Sequence, residues 1–138
     1  MEVETITSQK TALLKKTLKA FGFKSDTDTV SFTDNSGNYF LVAVENNQPI
    51  GYLLAYKLER PETRKPKFFV YDIEVLKSKR RQGVGSALVE GIKEIAKKNN
   101  ALEVFIPTNK SNLPATKLYS KTGGIAENED DIFYIYNL

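Results

Sequence analysis

The chain has 138 residues, of which 41% are hydrophobic and 27% charged, and its formal net charge is +3 at pH 7. This length and composition are typical of one globular domain and exclude disordered and fibrous architectures. Cysteine and histidine are both absent, which excludes disulfides, thiolate nucleophiles and cysteine-based zinc sites. Any catalysis must therefore use carboxylates, tyrosines, hydroxyls, amines or backbone groups, and no metal is expected.

No targeting or membrane-spanning segment is evident. The longest apolar stretches, 39–44 and 50–56, are far shorter than the roughly 20 residues that a bilayer requires. The first four residues lack a basic region followed by an apolar one. We therefore expect a single cytoplasmic domain over residues 1–138, as a monomer or homodimer without a membrane partner.

Charge is distributed unevenly along the chain. Nine lysines and arginines fall between positions 57 and 81, whereas Glu127, Glu129, Asp130 and Asp131 cluster near the carboxyl terminus. The basic zone suits a phosphorylated small molecule or a nucleic acid, and a solvated surface is the alternative. A nucleic-acid surface would interleave aromatic with basic residues, but the aromatic residues fall mostly within predicted strands. Nucleic acid is therefore disfavoured.

The amino-terminal half predicts a helix and a hairpin. A cap at Thr7-Ser8, followed by apolar residues at helical spacing, predicts a helix that ends at Gly22. The polar stretch 25–38 predicts a loop, or a short strand around 30–32. Two antiparallel strands are predicted next, at 39–45 and 50–58.

The carboxyl-terminal half predicts alternating strands and helices. Residues 68–76 are β-branched and aromatic, as in a central strand, and 83–98 place apolar side chains on one helical face. A short strand at 102–106, a helix at 111–121 and a last strand at 131–136 follow. This order predicts an α/β (α+β) fold in which helices cover both faces of a mixed sheet.

The most informative segment is the basic turn between the strand at 68–76 and the helix at 83–98. Free N–H groups at the helix start, together with Gly83 and Gly85, make a site for an anion such as pyrophosphate. The guanidinium groups of Arg80 and Arg81 add positive charge. A Walker loop is excluded because no Gly-Lys-Ser/Thr follows, and a dinucleotide fingerprint because position 88 is leucine. An ordinary glycine turn is the alternative.

Two motifs here resemble those of the GNAT acetyltransferases. The segment Arg80-Arg81-Gln82-Gly83-Val84-Gly85 matches the Arg/Gln-x-x-Gly-x-Gly/Ala signature and lies, as in that family, between a strand and its helix. The segment from Asn112 to Tyr119 resembles the Asn-x-x-Ala-x-x-x-Tyr element of the following helix. The family commonly places an aromatic residue after Gly123, but this chain has Gly124, which leaves the register of the last strand open.

The resemblance implies a mostly antiparallel sheet with two central strands splayed apart, and acetyl-CoA as the acetyl donor. It implies that amides of the turn hold the pyrophosphate, that the pantetheine arm pairs with an exposed strand edge, and that Asn112 contacts the pantetheine or nucleotide portion. The implied cofactor-binding residues are Ile73, Glu74, Val75, Arg80, Arg81, Gln82, Gly83, Val84, Gly85, Ser86, Asn112 and Tyr119.

Three residues are candidates for catalysis of direct acetyl transfer to a primary amine. A thioester is already activated, so positioning suffices, and without cysteine no acetylated enzyme thiol can form. The resemblance makes Tyr119 the general acid for the CoA thiolate, with a core tyrosine as the alternative. Asp72 and Glu74 alternate with apolar residues, so both project from one face of the strand. They are candidate bases, and ion pairs with a neighbouring strand are the alternative.

The strand at 69–75 and the Arg-Arg-Gln-Gly that follows it also resemble aminoglycoside 3-N-acetyltransferases. The positions of Asp72, Glu74 and the acidic stretch at 127–131, which leads into the predicted last strand, predict a cationic acceptor, aminoglycoside- or polyamine-like, held by these carboxylates. An acetyltransferase acting on protein amino termini or lysines is an alternative, as is a non-catalytic acyl-CoA-binding module. Tyr119 and the two strand carboxylates argue against the module.

Overall fold

The computed structural model describes residues 1–24, 28–128 and 130–138. One sheet forms its centre, and its strands are β1 (Glu2–Thr5), β2 (Asn38–Glu45), β3 (Gln48–Leu58), β4 (Lys67–Val75) and β5 (Glu103–Phe105). The spatial order follows the chain order. Strands β1, β2, β3 and β4 pair successively with one another in antiparallel orientation, and β5 pairs with β4 in parallel orientation. The sheet is therefore mixed and mostly antiparallel, as predicted.

Helices cover both faces of this sheet. They are α1 (Thr11–Ala20), α2 (Thr29–Asp34), α3 (Val84–Lys98) and α4 (Leu113–Lys121). On one face, Leu88 and Ile92 of α3 pack against Phe68 in the larger core cluster. On the other, Leu14 of α1 packs against a cluster that contains Tyr52. None of the helices in the described part of the chain combines the length and apolar character needed to cross a bilayer.

The start of α3 follows directly from its sequence. Gly83 adopts a φ of 84° at the N-cap, a left-handed conformation that glycine tolerates best. From Val84 onward, apolar residues recur on one side of the helix and are buried. Lys97 and Lys98 lie in the last turn, where positive charge complements the helix dipole. The helix therefore presents its apolar face to the sheet and its amino-terminal N–H groups to the end of β4.

β4 and β5 pair over a short distance and then separate. Their ladder runs only from Lys67 and Glu103 to Phe69 and Phe105. Beyond it, none of the described residues forms a strand on that edge of β4, so its backbone groups from Val70 to Val75 have no ladder partner there. This geometry confirms the predicted splay between two strands.

Two local predictions were wrong, and one strand was missed. Residues 29–34 form α2 rather than a strand, because the side chain of Asp28 accepts a 2.9 Å hydrogen bond from the Ser31 N–H and caps a helix. Residues 25–27 of that prediction lie outside the described residues. The predicted last strand, 131–136, is irregular and exposed, because the three-residue β5 offers too short an edge for pairing. β1 was missed because four residues give little periodicity.

Candidate active site

A cleft of about 160 Å³ opens where β4 and β5 diverge. Its walls come from β4, from the chain that leaves β5, and from α4. Four predicted site residues line it, namely Asp72, Ile73, Asn112 and Tyr119, beside Tyr71 and Thr108. Glu74 and Val75 continue β4 toward the start of α3.

A β-bulge at Tyr71 sets the direction of the acidic side chains. In the ladder between β3 and β4, Leu54 is opposite Asp72 and Ala55 is opposite Val70, which leaves Tyr71 as the extra residue. One extra residue reverses the alternation of side chains between the two faces. Without the bulge, Asp72 would lie on the same face as Val70, which packs in the α3 core.

Beyond the bulge, Asp72 and Glu74 share one face, as the alternation predicts. Their cross-strand partners are Leu54 and Tyr52, which belong to the core cluster on the α1 side. Directly opposite residues in a ladder project to the same face. Both carboxylates therefore lie on the face opposite to α3, with Asp72 partly buried and Glu74 exposed.

Asp72 is held by a buried tyrosine. The hydroxyl of Tyr52, a residue that is 2% exposed, donates a 2.5 Å hydrogen bond to Oδ2 of Asp72. Burial, followed by this hydrogen bond and the nearby negative charge, raises the pKa of Tyr52 well above its usual range. Neither Asp72 nor Glu74 forms an ion pair with a described lysine or arginine. A neutral donor thus satisfies one oxygen of Asp72, in place of the cross-strand ion pair considered from sequence.

Tyr119 lies on α4 and forms part of the cleft wall. Its side chain is half-buried. Burial, and then the negative charge of Asp72, raises the pKa of Tyr119 above its usual range. The phenol therefore keeps its proton at neutral and mildly alkaline pH, which a proton donor requires. Its position in a polar cleft argues against a purely structural role.

The basic turn presents an uncapped helix start. No side chain caps α3, and no acidic residue lies in its first turn. Its first N–H groups therefore carry the partial positive charge of the helix terminus without a side-chain acceptor. Arg81, which is exposed, adopts a φ of 60° immediately before this start. The arrangement suits an anion, as the sequence predicts.

Two side chains of the signature stabilise the turn itself. Nε of Arg80 donates a 3.1 Å hydrogen bond to the carbonyl of Val75, at the end of β4. The side-chain amide of Gln82 donates a 3.0 Å hydrogen bond to the carbonyl of Ser78. The first bond joins the two groups of predicted cofactor residues, the strand edge at 73–75 and the helix start at 80–86.

The two glycines of the signature have different structural reasons. A β-carbon at Gly83 would meet nothing within 4 Å, so the positive φ is what favours glycine there. A β-carbon at Gly85 would lie 3.0 Å from Cδ2 of Leu118 on α4. Sequence reasoning gave both glycines one role, the close approach of a ligand. Gly85 in addition permits α3 and α4 to pack closely beside the cleft.

Asn112 caps α4 at the cleft. Its side-chain oxygen accepts a 3.2 Å hydrogen bond from the N–H of Ala115, and proline in the first turn is compatible with this start. The cap engages the amide oxygen and leaves the amide NH₂ group outside that bond. Asn112 therefore has a structural function besides the cofactor contact predicted for it.

Sequence reasoning missed three residues of the site. Tyr52 holds Asp72, and Tyr71 and Thr108 line the cleft. A phenol among the apolar residues at 50–55 was the available signal for Tyr52, because buried hydroxyls need a partner. Tyr71 and Thr108 gave no comparable signal, since their positions depend on the bulge and on the path of the chain after β5.

Comparison with known proteins identifies the family. The model of the acetyltransferase (GNAT) family matches residues 10–124. An N-alpha-acetyltransferase of Sulfurisphaera tokodaii is 34% identical over 91 residues, which cover 61% of this chain and 54% of the relative. N-acetyltransferase 8 of Homo sapiens is 28% identical over 95 residues, which cover 69% of this chain and 42% of the relative. The chain thus spans about half the length of these curated relatives.

Solved structures share the fold along almost the whole chain. An aminoglycoside acetyltransferase from an uncultured soil metagenomic sample, in complex with sisomicin, superposes with a TM-score of 0.88 at 24% identity, over 99% of this chain and 95% of that one. Aminoglycoside N-acetyltransferase AAC(6')-Iy in complex with CoA superposes with a TM-score of 0.77 at 18% identity, over 99% of this chain and 100% of that one. These likenesses confirm the predicted fold, and the family match confirms the resemblance seen in the motifs. The chain belongs to the GNAT family of acetyltransferases.

Proposed function

We propose that this chain transfers an acetyl group from acetyl-CoA directly to a primary amine. The observation that carries the proposal is the cleft between β4 and β5, which brings Asp72 and Tyr119 together near the uncapped start of α3. Relatives named N-alpha-acetyltransferase and N-acetyltransferase 8 support this reaction class. So do solved relatives described as aminoglycoside acetyltransferases.

The described residues fit acetyl-CoA. The edge of β4 around Ile73, Glu74 and Val75 lacks a described strand partner, so the backbone groups that point to this edge can pair with the amides of a pantetheine arm. The carbonyl of Val75 also accepts the hydrogen bond from Arg80. The amides from Arg81 to Ser86 and the charge of Arg80 suit its pyrophosphate. When bound, acetyl-CoA supplies an activated acetyl thioester.

The chain's own residues then have two proton-transfer functions. A lysine-type amine has a pKa of about 10.4, so at neutral pH it must lose a proton before it can attack. Asp72, oriented by Tyr52, or the exposed Glu74 accepts that proton directly or through water. The hydroxyl of Tyr119, which stays protonated because burial and Asp72 raise its pKa, supplies a proton to the departing sulfur.

The acceptor favoured by the charges at the site is a cationic amine. Asp72 and Glu74 lie on one face of β4 without a described cationic partner, and such carboxylates attract protonated amines. An aminoglycoside- or polyamine-like molecule meets this requirement. A peptide amino terminus is the second candidate, favoured by the 34% identity to a protein named N-alpha-acetyltransferase.

The test is release of free thiol from acetyl-CoA with a panel of amines: a polyamine, an aminoglycoside, a peptide with a free amino terminus, and neutral and acidic amino acids. We expect release to depend on the amine and to be fastest with the cationic acceptors. Their advantage should shrink as added salt screens the carboxylates. Tight binding of acetyl-CoA without amine-dependent thiol release would identify a binding module and reject the proposal.

A further inference from the structure

A row of aromatic rings extends from the cleft along the sheet. The ring of Tyr71 lies edge-on to those of Tyr56 and Phe69, with centroid distances of 6.2 and 6.1 Å. Phe69 in turn stacks on Phe105 at 5.2 Å, with the ring planes 14° apart. These four residues, Tyr56, Phe69, Tyr71 and Phe105, are called the aromatic platform below.

The platform lies on the face opposite to α3. Phe68 and Val70 pack in the α3 core, so Phe69, between them in β4, projects to the other face. Tyr56 and Phe105 are its cross-strand partners in β3 and β5 and therefore project to the same face. This is the face that carries Asp72 and Glu74.

Two of the four platform residues are exposed, and Tyr56 and Phe69 are partly buried between them. Tyr71 is 66% exposed and Phe105 is 37% exposed. The core cluster that contains Leu14 of α1 does not include any platform residue among the described ones. Exposed aromatic rings that form a contiguous row are typical of a binding surface rather than of a core.

The platform is continuous with the cleft. Tyr71 belongs to both, because the bulge turns it outward immediately before Asp72. At the far end, Lys67 and Glu103 are paired at 2.8 Å, so their charges offset one another. One end of the surface is therefore anionic, and the rest presents aromatic rings without a net charge.

We infer that the aromatic platform binds the body of the acceptor and selects primary amines that carry an aromatic ring a few bonds from the ammonium group. This inference rests on the proposed function, which requires only a cationic amine. The carboxylates attract the ammonium group, and the platform contributes ring stacking and apolar contact. A linear alkylamine gains the attraction of its ammonium group by the carboxylates but little contact with the platform.

A matched pair of acceptors tests the inference. Propylamine and 3-phenylpropylamine differ by one phenyl ring, and kcat/KM is measured for both. We expect the wild type to prefer 3-phenylpropylamine by about tenfold, the scale of one aromatic pair. Tyr71→Ala should reduce that ratio to about twofold or less, and Tyr71→Phe should preserve it because the ring remains.

A control and a second variant complete the design. Tyr134→Ala makes the same chemical change at a residue that is 80% exposed and outside the platform, and should leave the ratio at its wild-type value. Phe105→Ala should lower it less than Tyr71→Ala does, because Phe105 is farther along the row. Equal kcat/KM for the two amines in the wild type, or an unchanged ratio in Tyr71→Ala, would overturn the inference while the proposed function stands.

Binding measured without turnover separates the two claims. Saturation-transfer NMR should detect 3-phenylpropylamine on the wild type through its ring protons, with a weaker signal on Tyr71→Ala. If no amine releases thiol but this contrast is observed, the proposed function fails and the platform remains a binding surface. Equal saturation-transfer signals on the wild type and on Tyr71→Ala would overturn the assignment of the platform, whether or not the protein acetylates an amine.

Discussion

The two halves of the candidate site are built from different chemistry. The proposed cofactor half, at 73–75 and 80–86, consists mainly of backbone features: an unpaired strand edge, an uncapped helix start and a glycine with positive φ. The proposed acceptor half consists of side chains: the hydrogen-bonded pair Tyr52 and Asp72, Tyr119, and the aromatic platform. Backbone sites tolerate most side-chain changes and fail when geometry changes. Side-chain sites fail when single atoms are removed.

The largest effect is expected from one oxygen atom in the acceptor half. Tyr119→Phe removes the hydroxyl and should lower kcat by about 100-fold, because a positioned proton donor contributes on that scale. Acetyl-CoA affinity, measured by calorimetry, should change little. Tyr39→Phe is the matched control, because Tyr39 packs against Phe68 on the α3 face and should retain wild-type kcat. Wild-type turnover in Tyr119→Phe would show that the thiolate departs without this acid.

The cofactor half should respond to changes in geometry and charge. Gly83→Val forces a β-branched residue into a φ of 84°, and Arg80→Glu reverses a charge and removes the hydrogen bond to Val75. Each should weaken acetyl-CoA binding by about tenfold, equivalent to roughly 1.4 kcal/mol, with the fold retained. Lys98→Glu makes a similar charge change at the opposite end of α3 and should have no effect. Unchanged affinity in both test variants would remove the turn from the site.

The two carboxylates of β4 should affect the acceptor and leave acetyl-CoA binding nearly unchanged. Asp72→Asn and Glu74→Gln should each raise the apparent KM for the amine or slow turnover by about three- to tenfold, the scale of one hydrogen bond of roughly 0.5–1.5 kcal/mol, with acetyl-CoA affinity nearly unchanged. Because the hydroxyl of Tyr52 donates a hydrogen bond to Asp72, Tyr52→Phe should reproduce part of the Asp72→Asn effect. Full activity in both carboxylate variants would reject them as acceptor ligands and bases.

The local structure of the proposed cofactor half was predictable because its signals are local. A strand, a basic turn and an amphipathic helix adjoin one another in the chain, so 80–86 could be proposed from sequence as the site of an anion. The acceptor half was only partly predictable. Tyr119 and Asp72 followed from the resemblance and from alternation, whereas the exposure of Tyr71 results from a bulge set by the pairing of β3 with β4. The strand predicted at 131–136 failed for a similar reason, since pairing requires an edge that its own pattern does not reveal.

The smallest effect concerns stability at high pH. The pKa of Tyr52 is raised in the folded state, so its stabilising contribution is complete below the unfolded pKa of about 10. That contribution is lost as pH rises through the folded-state pKa. Tyr52→Phe should therefore lower the free energy of unfolding at pH 7 by about 1 kcal/mol. The difference in free energy of unfolding between wild type and variant should become smaller above pH 10. A difference in free energy of unfolding that grows above pH 10 would contradict a raised pKa of Tyr52 in the folded state.

The central claim, acetyl transfer to an amine by this cleft, is tested most directly by detecting the product. Wild type and Tyr119→Phe are incubated with acetyl-CoA and a cationic primary amine, and the N-acetylated amine is quantified by mass spectrometry. We expect an enzyme-dependent product that forms about 100-fold more slowly with the variant at equal acetyl-CoA occupancy. Product formation at the same rate in both proteins, or none above the uncatalysed background with any amine of the panel, would contradict it.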